Sequence, residues 1–190
     1  MKITEIFYSL QGEGRYTGTP AVFIRLAGCN LRCWFCDTDF THYEEMTEDD
    51  IVRRVDDYPT EYVVITGGEP TLQLTPSLVE KLHRAGKYVM METNGTHPLP
   101  DGCDIDWVTC SPKGAPIRLQ HIDELKVVYE GPEQDMTVYD SIAATEYRLQ
   151  PCDTGDPQRN IDIQRATIDY ILRHPRWRLS LQTHKLLNIQ

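Results

Sequence analysis

Basic residues are scarce: 19 lysines and arginines stand against 29 aspartates and glutamates, for a formal net charge of −10 at pH 7. That balance excludes a surface built to neutralise phosphates, although a local basic pocket for a small anion is still possible, so no direct nucleic-acid partner is expected. Long apolar runs are lacking too. No stretch approaches the length of a membrane span, and residues 1–10 lack the basic start, apolar core and cleavage site of a signal peptide. A soluble, cytoplasmic chain with no membrane partner is expected. Repeats, linkers and low-complexity segments are absent, and 190 residues suit a single domain, 1–190, with a sizeable core. The six cysteines do not form the dense pattern of a disulfide scaffold. Three cluster and the others are scattered at Cys103, Cys110 and Cys152, which favours a reducing compartment and a metal, with the scattered three as small buried residues.

What is present alternates between strand-like and helix-like patterns. Strands are predicted at Ile3–Tyr8, Ala21–Leu26, Tyr62–Thr66, Lys87–Glu92, Trp107–Cys110, Glu124–Tyr129, Glu146–Leu149 and Trp177–Gln182. Thr47, with Asp50 three residues on, caps a predicted helix to about Tyr58, and a second helix runs from Pro76 to Gly86. A weak helix is predicted over Met136–Ala144 and a strong amphipathic one over Ile161–Arg173. The alternation implies an α/β fold of parallel strands, and the crossovers too short for a helix imply an incomplete β/α barrel. Cys29, Gly67–Pro70, Glu92–Asn94, Ser111, Gln150 and His184 all fall just past strand ends, the end at which such folds build their sites.

"GCNLRCWFCDTDF", Gly28–Phe40, places Cys29, Cys33 and Cys36 together without a fourth cysteine. A closed zinc site wants four ligands, and His42 is the only nearby candidate. Three thiolates can instead hold a four-iron cubane with one iron open to a cofactor or substrate. A zinc loop and coincidental cysteines stand as alternatives on the triplet alone. In "TGGEP", Thr66–Pro70, the paired glycines let the backbone approach a ligand closely, and Glu69 can balance an ammonium.

Cysteine spacing and "TGGEP" together resemble the radical SAM superfamily, in which three cysteines hold a [4Fe-4S] cluster that S-adenosylmethionine completes. The resemblance narrows to the 7-carboxy-7-deazaguanine synthases through "FYSLQGEG", "FIRLAGCNLRCWFCDT", "TGGEPTLQ", "ETNGT", "SPK" and "LSLQTHK", nearly end to end. Some members carry a long insertion between the first two cluster cysteines, and this chain does not. The family fold is an incomplete barrel of about six core parallel strands with few helices. The implied reaction is a lyase-like ring contraction of 6-carboxy-5,6,7,8-tetrahydropterin to 7-carboxy-7-deazaguanine with loss of ammonia. A 5′-deoxyadenosyl radical takes the hydrogen on C6 and later returns it, so the protein itself supplies no catalytic side chain.

The resemblance implies a site. Cys29, Cys33 and Cys36 hold the cluster; Asp37, Gly67, Gly68, Glu69, Thr93, Ser111 and Gln150 bind S-adenosylmethionine; Thr38 contacts Mg2+. Arg25, on a strand otherwise composed of apolar residues, can meet the substrate carboxylate with a two-pronged contact, a structural ion pair being the plainer reading. Gln11, Glu13, Thr66 and His184 complete the pterin contacts. Leu186, Leu187 and Ile189 are expected to pin the tail so that the α-carboxylate of Gln190 accepts from the pterin's donors. Lys113 and Lys126 read as solvated or paired lysines. The family further suggests a reductant such as flavodoxin and a homodimer. Two other classes compete: an activating enzyme acting on a protein, which would need a docking extension, and an electron carrier, which would need four thiolate ligands.

Overall fold

The computed structural model describes residues 1–36, 38–39 and 42–190. Among these residues lie nine strands in one sheet, ordered β3-β1-β2-β4-β5-β6-β7-β8-β9. The strands are β1 (Lys2–Leu10), β2 (Pro20–Leu26), β3 (Glu44–Glu45), β4 (Tyr62–Gly67), β5 (Tyr88–Thr93), β6 (Trp107–Cys110), β7 (Glu124–Tyr129), β8 (Glu146–Pro151) and β9 (Arg178–Leu179). From β2 through β9 every neighbour is parallel, with six full strands followed by the two-residue β9. β1 instead runs antiparallel to β2 and to β3. The link between β1 and β2 contains no helix that could carry the chain back for a parallel pairing.

Four helices accompany these strands: α1 (Glu48–Asp56), α2 (Pro76–Arg84), α3 (Pro157–Arg173) and α4 (Thr183–Leu187). Thr47 caps α1 by accepting from the Asp50 amide, Thr75 caps α2 ahead of Pro76, and Asp156 caps α3 ahead of Pro157. Gly86, at φ +73°, ends the α2 segment in a conformation open to glycine. Ile51 and Val55 of α1 and Leu78, Val79 and Leu82 of α2 pack outside the sheet against Val63, Ile65, Val89 and Met91. Each such leucine contributes about 1.5–3 kcal/mol by full burial.

Three expectations differ from the structure. Met136–Tyr139 forms only a short 3-10 turn and not a helix to Ala144. The last strand is Arg178–Leu179, shorter than Trp177–Gln182, and His184 belongs to α4. Leu186, Leu187 and Ile189 are 72%, 60% and 36% exposed, so apolar burial does not pin the tail. Polar contacts do: Thr183 donates from its amide and its hydroxyl to the Gly12 carbonyl, both at 2.9 Å, and Gln190 Nε2 donates to Glu5 at 2.6 Å.

The alternation of a strand sorts the remaining residues. Val63 and Ile65 face the outer helices, leaving Val64 and Thr66 for the inner face; Val89 and Met91 likewise leave Met90 and Glu92. Low on that face Ala21, Phe23, Val64 and Met90 form an apolar floor. Above it, towards the carboxyl ends of the strands, come Arg25, Thr66 and Glu92. The gap in the barrel is filled by the loop after β1, which meets the far edge of the sheet: Gly14 N donates to Ser180 Oγ at 3.0 Å, Gln182 Nε2 donates to Glu13 at 3.1 Å, and Arg15 pairs with Glu146. No helix among the described residues is long and apolar enough to cross a membrane.

Candidate active site

Two cavities open at the carboxyl ends of the parallel strands. One, of about 210 Å³, has Cys29, Cys33 and Cys36 on one wall and Thr93, Ser111 and Gln150 across from them. The other, of about 600 Å³, is lined by Gln11, Glu13, Arg25, Thr66, His184 and Gln190 together. Glu13, Thr38, Thr66, Gly67 and Glu92 line both, so the two spaces share a wall.

The cysteine loop follows β2, and its neighbour in the sheet, β4, ends in the glycine pair. Leu26 is paired with Gly67, which brings the two loops side by side. Gly68 N donates to the Leu26 carbonyl and Glu69 N to the Gly28 carbonyl, both at 2.9 Å. No side chain fits between them. A Cβ on Gly68 would lie 1.9 Å from the Gly28 oxygen, and Gly67 adopts φ +129° with Leu26 O 2.1 Å from where its Cβ would be. The paired glycines thus let the turn lie directly on the backbone that carries Cys29.

The three thiols are free of one another. Cys29 Sγ accepts from the Leu31 amide at 3.4 Å and from Asn94 Nδ2 at 3.9 Å, contacts suited to a sulfur carrying negative charge. The Cys33 thiol is pushed up by burial and by the neighbouring thiols and is drawn down by the Lys113 ammonium. Among the described residues no three His, Cys, Asp or Glu side chains converge on a point fit for a single metal ion. Three thiols around a cavity rather than around a point match the donor set of an iron–sulfur cluster with one open iron.

Across that cavity Ser111 has no side-chain hydrogen bond among the described residues, and Gln150 uses its oxygen to accept from Ser180 at 2.9 Å. Ser111 and the Gln150 amide nitrogen can therefore serve a ligand. Thr93 lines the wall with its hydroxyl already engaged, donating to Glu69 at 2.7 Å and accepting from Gly95 N at 3.0 Å. Glu69 stands behind the wall, fully buried. Its carboxylate accepts from Thr71 N, Thr71 Oγ1, Thr93 Oγ1 and Asn94 N at 2.6–3.1 Å, and it braces the turn onto β5. Among the described residues, the partners of Glu69 are those four neutral donors. Asp37 lies outside the described residues.

In the larger cavity Phe7 and Phe23 stack at 4.9 Å with 7° between their planes, a flat apolar wall over which the Arg25 guanidinium lies 5.7 Å from Phe7. Arg25 Nε donates to Glu5 at 2.7 Å and Nη1 to Thr38 Oγ1 at 3.4 Å. The structural ion pair and the cavity-facing guanidinium are thus both present in one residue. Glu92, which the sequence places at the strand-end mouth without a role, and Lys126, which reads as a solvated or paired lysine, both line the cysteine-side cavity, and Lys126 Nζ donates to Glu13 at 2.5 Å and to Glu92 at 2.6 Å. Asn94, which reads as half of a turn, reaches Cys29 and Asn30.

The sequence model of the radical SAM superfamily matches residues 23–125, from inside β2 into β7. A 7-carboxy-7-deazaguanine synthase of Bacteroides thetaiotaomicron is 54% identical over 190 residues, covering 100% of this chain and 98% of that protein. The chain belongs to the radical SAM superfamily, in its 7-carboxy-7-deazaguanine synthase family. The synthase of Bradyrhizobium diazoefficiens is 39% identical, covering 99% of this chain and 98% of that one. The crystal structure of QueE from Escherichia coli superposes with a TM-score of 0.79 at 29% identity, covering 95% and 92%. Members of this superfamily are enzymes that use a [4Fe-4S] cluster, S-adenosylmethionine and a reductant. The donor set around the smaller cavity fits both groups.

Proposed function

We propose that this chain converts 6-carboxy-5,6,7,8-tetrahydropterin to 7-carboxy-7-deazaguanine and ammonia, in the synthesis of the queuosine precursor. The observation that carries this reading is the shared wall: a thiol-lined cavity opens directly onto a second one that offers a guanidinium, paired carboxylates and a flat aromatic surface. Cys29, Cys33 and Cys36 would hold the cluster, with Gly67, Gly68, Thr93, Ser111 and Gln150 around S-adenosylmethionine. When bound, these groups supply one-electron radical chemistry that takes the hydrogen from C6 of the pterin.

The chain's own residues bind, orient and exclude water. Arg25 answers the substrate carboxylate with its remaining N–H donors. Glu13 and the Gln190 carboxylate accept from the amine and ring N–H groups, and Gln11, Thr66 and His184 fix the plane of the ring. Phe7 and Phe23 cover one face and keep water from it. Thr38, placed on both cavities, offers its hydroxyl to Mg2+, whose other oxygen ligands would come from substrate and water. The same reading takes the chain as one cytoplasmic domain whose tail completes the site, working as a homodimer with a reductant such as flavodoxin.

Anaerobic reconstitution followed by product analysis with the carboxypterin tests the proposal. The expected result is 7-carboxy-7-deazaguanine with one ammonia per turnover. S-adenosylmethionine cleavage that the carboxypterin does not alter, with no deazapurine formed, would overturn it.

A further inference from the structure

Lys126 occupies the middle of β7, with Leu125 and Val127 on its two sides packed into the core behind the sheet. Its own side chain points the other way, into the barrel, and is 3% exposed. The ammonium stands between two carboxylates from distant elements: Glu13 from the loop after β1, at 2.5 Å, and Glu92 from β5, at 2.6 Å. Both carboxylates lie on the wall common to the two cavities. Their second oxygens face outward partners, Gln182 Nε2 to Glu13 at 3.1 Å and Gln11 Nε2 to Glu92 at 3.4 Å.

We propose that Lys126 is a positioning residue, whose ammonium clamps Glu13 and Glu92 side by side as paired hydrogen-bond acceptors for the donor edge of the substrate. Two carboxylates sharing one small region repel, and without a cation between them one would take up a proton. A protonated carboxyl donates where the substrate also donates. A buried ammonium is itself costly to desolvate, and only the close carboxylates offset that cost. Burial pulls Lys126 towards losing its proton, but the charges of Glu13 and Glu92 outweigh burial and hold it protonated. The residue is thereby a fixed charge and not a proton donor in the reaction. Burial pushes Glu13 up, while Lys126, Gln182 and His184 bring it down to about 2. The other charged groups in this neighbourhood are Lys113 beyond β6, Glu124 on β7 and Arg148 on β8.

The inference rests on the reading of the larger cavity as a pterin site, and its tests separate the two. In cluster-loaded enzyme, Lys126→Met is expected to keep the iron and sulfide content of the unaltered protein and to bind the pterin roughly tenfold more weakly near about pH 6, the loss shrinking towards about pH 9. Lys126→Arg keeps the charge and is expected to keep the pH profile of the unaltered enzyme. His184 is present in all three proteins, so the difference between profiles isolates the change at Lys126. A Lys126→Met profile parallel to that of the unaltered enzyme would overturn the proposal. A measurement on the unaltered protein does not depend on how the variant folds: the carboxyl resonance of 13C-labelled Glu13 is expected to stay that of an ionised group throughout the neutral range. Its titrating there sinks the clamp. If the unaltered enzyme binds no pterin, the substrate reading fails, and the carboxyl resonance still decides the role of Lys126.

Discussion

Ser9 Oγ donates a 2.6 Å hydrogen bond to the main-chain oxygen of Gln190, joining the first strand to a residue 181 positions away. Together with the Gln190 amide on Glu5, it holds the end of the tail over the larger cavity. Extending the chain past Gln190 with a short tag is expected to raise the pterin dissociation constant on the order of tenfold, since displacing one acceptor leaves donors of the heterocycle unpaired. Ser9→Ala should act in the same direction and more weakly. Calorimetry with the pterin and, separately, with S-adenosylmethionine checks this, the second affinity being expected to stay unchanged.

Gly68→Ala should strike the cluster loop. The new methyl would sit 1.9 Å from the Gly28 oxygen and 2.9 Å from the Cys29 amide, backbone atoms that cannot rotate away. Overpacking of this kind costs about 1–3 kcal/mol. Iron and sulfide content after reconstitution is expected to fall well below that of the unaltered protein, while helix content by circular dichroism is retained. Full cluster loading would show that the turn and the loop can part without consequence.

Glu69→Gln replaces a fully buried acceptor of four hydrogen bonds with a group that must donate from one end. At least one of Thr71, Thr93 and Asn94 then faces a donor, at a cost of about 1–3 kcal/mol. Urea unfolding is expected to show that loss. A parallel weakening of S-adenosylmethionine binding should follow, because Thr93 and Asn94 form the wall that Glu69 braces.

Arg25→Lys should separate substrate recognition from cluster assembly. An ammonium can keep one contact with Glu5 but cannot also offer a paired planar contact to a carboxylate. Turnover with the carboxypterin is expected to drop on the order of tenfold or more, with the iron content unaltered. Equal turnover would reduce Arg25 to its ion pair.

Acid should expose the contribution of Glu13. A carboxyl held at about 2 in the folded protein, against an ordinary 4.5, stabilises the fold above 4.5 and ceases to do so as pH falls through 2. Urea midpoints measured between about pH 5 and 2 are expected to fall less steeply in Glu13→Gln, by on the order of 2 kcal/mol across that window. Identical slopes would mean that Lys126 does not hold Glu13 as the distances imply.

Much of this was legible in the chain. The cysteine spacing, the glycine pair and the strand ends carry their own physical reasons, and all six residues expected around the pterin line one cavity. What escaped was tertiary in origin. Lys126 reads as a solvated or paired lysine, and only alternation along β7 combined with the register to its neighbours turns it inward and supplies its partners Glu13 and Glu92. α4 escaped because "QTHKLL" has no strong helical period, and its start is held by Gly12, far away in sequence. The outward-facing Leu186 and Leu187 show the limit of reading apolar residues as buried ones.

The loop that fills the gap in the barrel also waits for its partners during synthesis. Gly14 and Glu13 emerge 166 and 169 residues ahead of their partners Ser180 and Gln182. At translation rates of about 5–20 residues per second that interval lasts roughly ten to thirty seconds. The hydrogen bonds that join the cysteine loop to Glu69, Asn94 and Thr96 involve no residue beyond 96, whereas Lys113 and Arg159 reach Phe35 and Trp34 of the same loop only later. The thiols thus leave the ribosome well before the residues that close the room in which a radical would be confined.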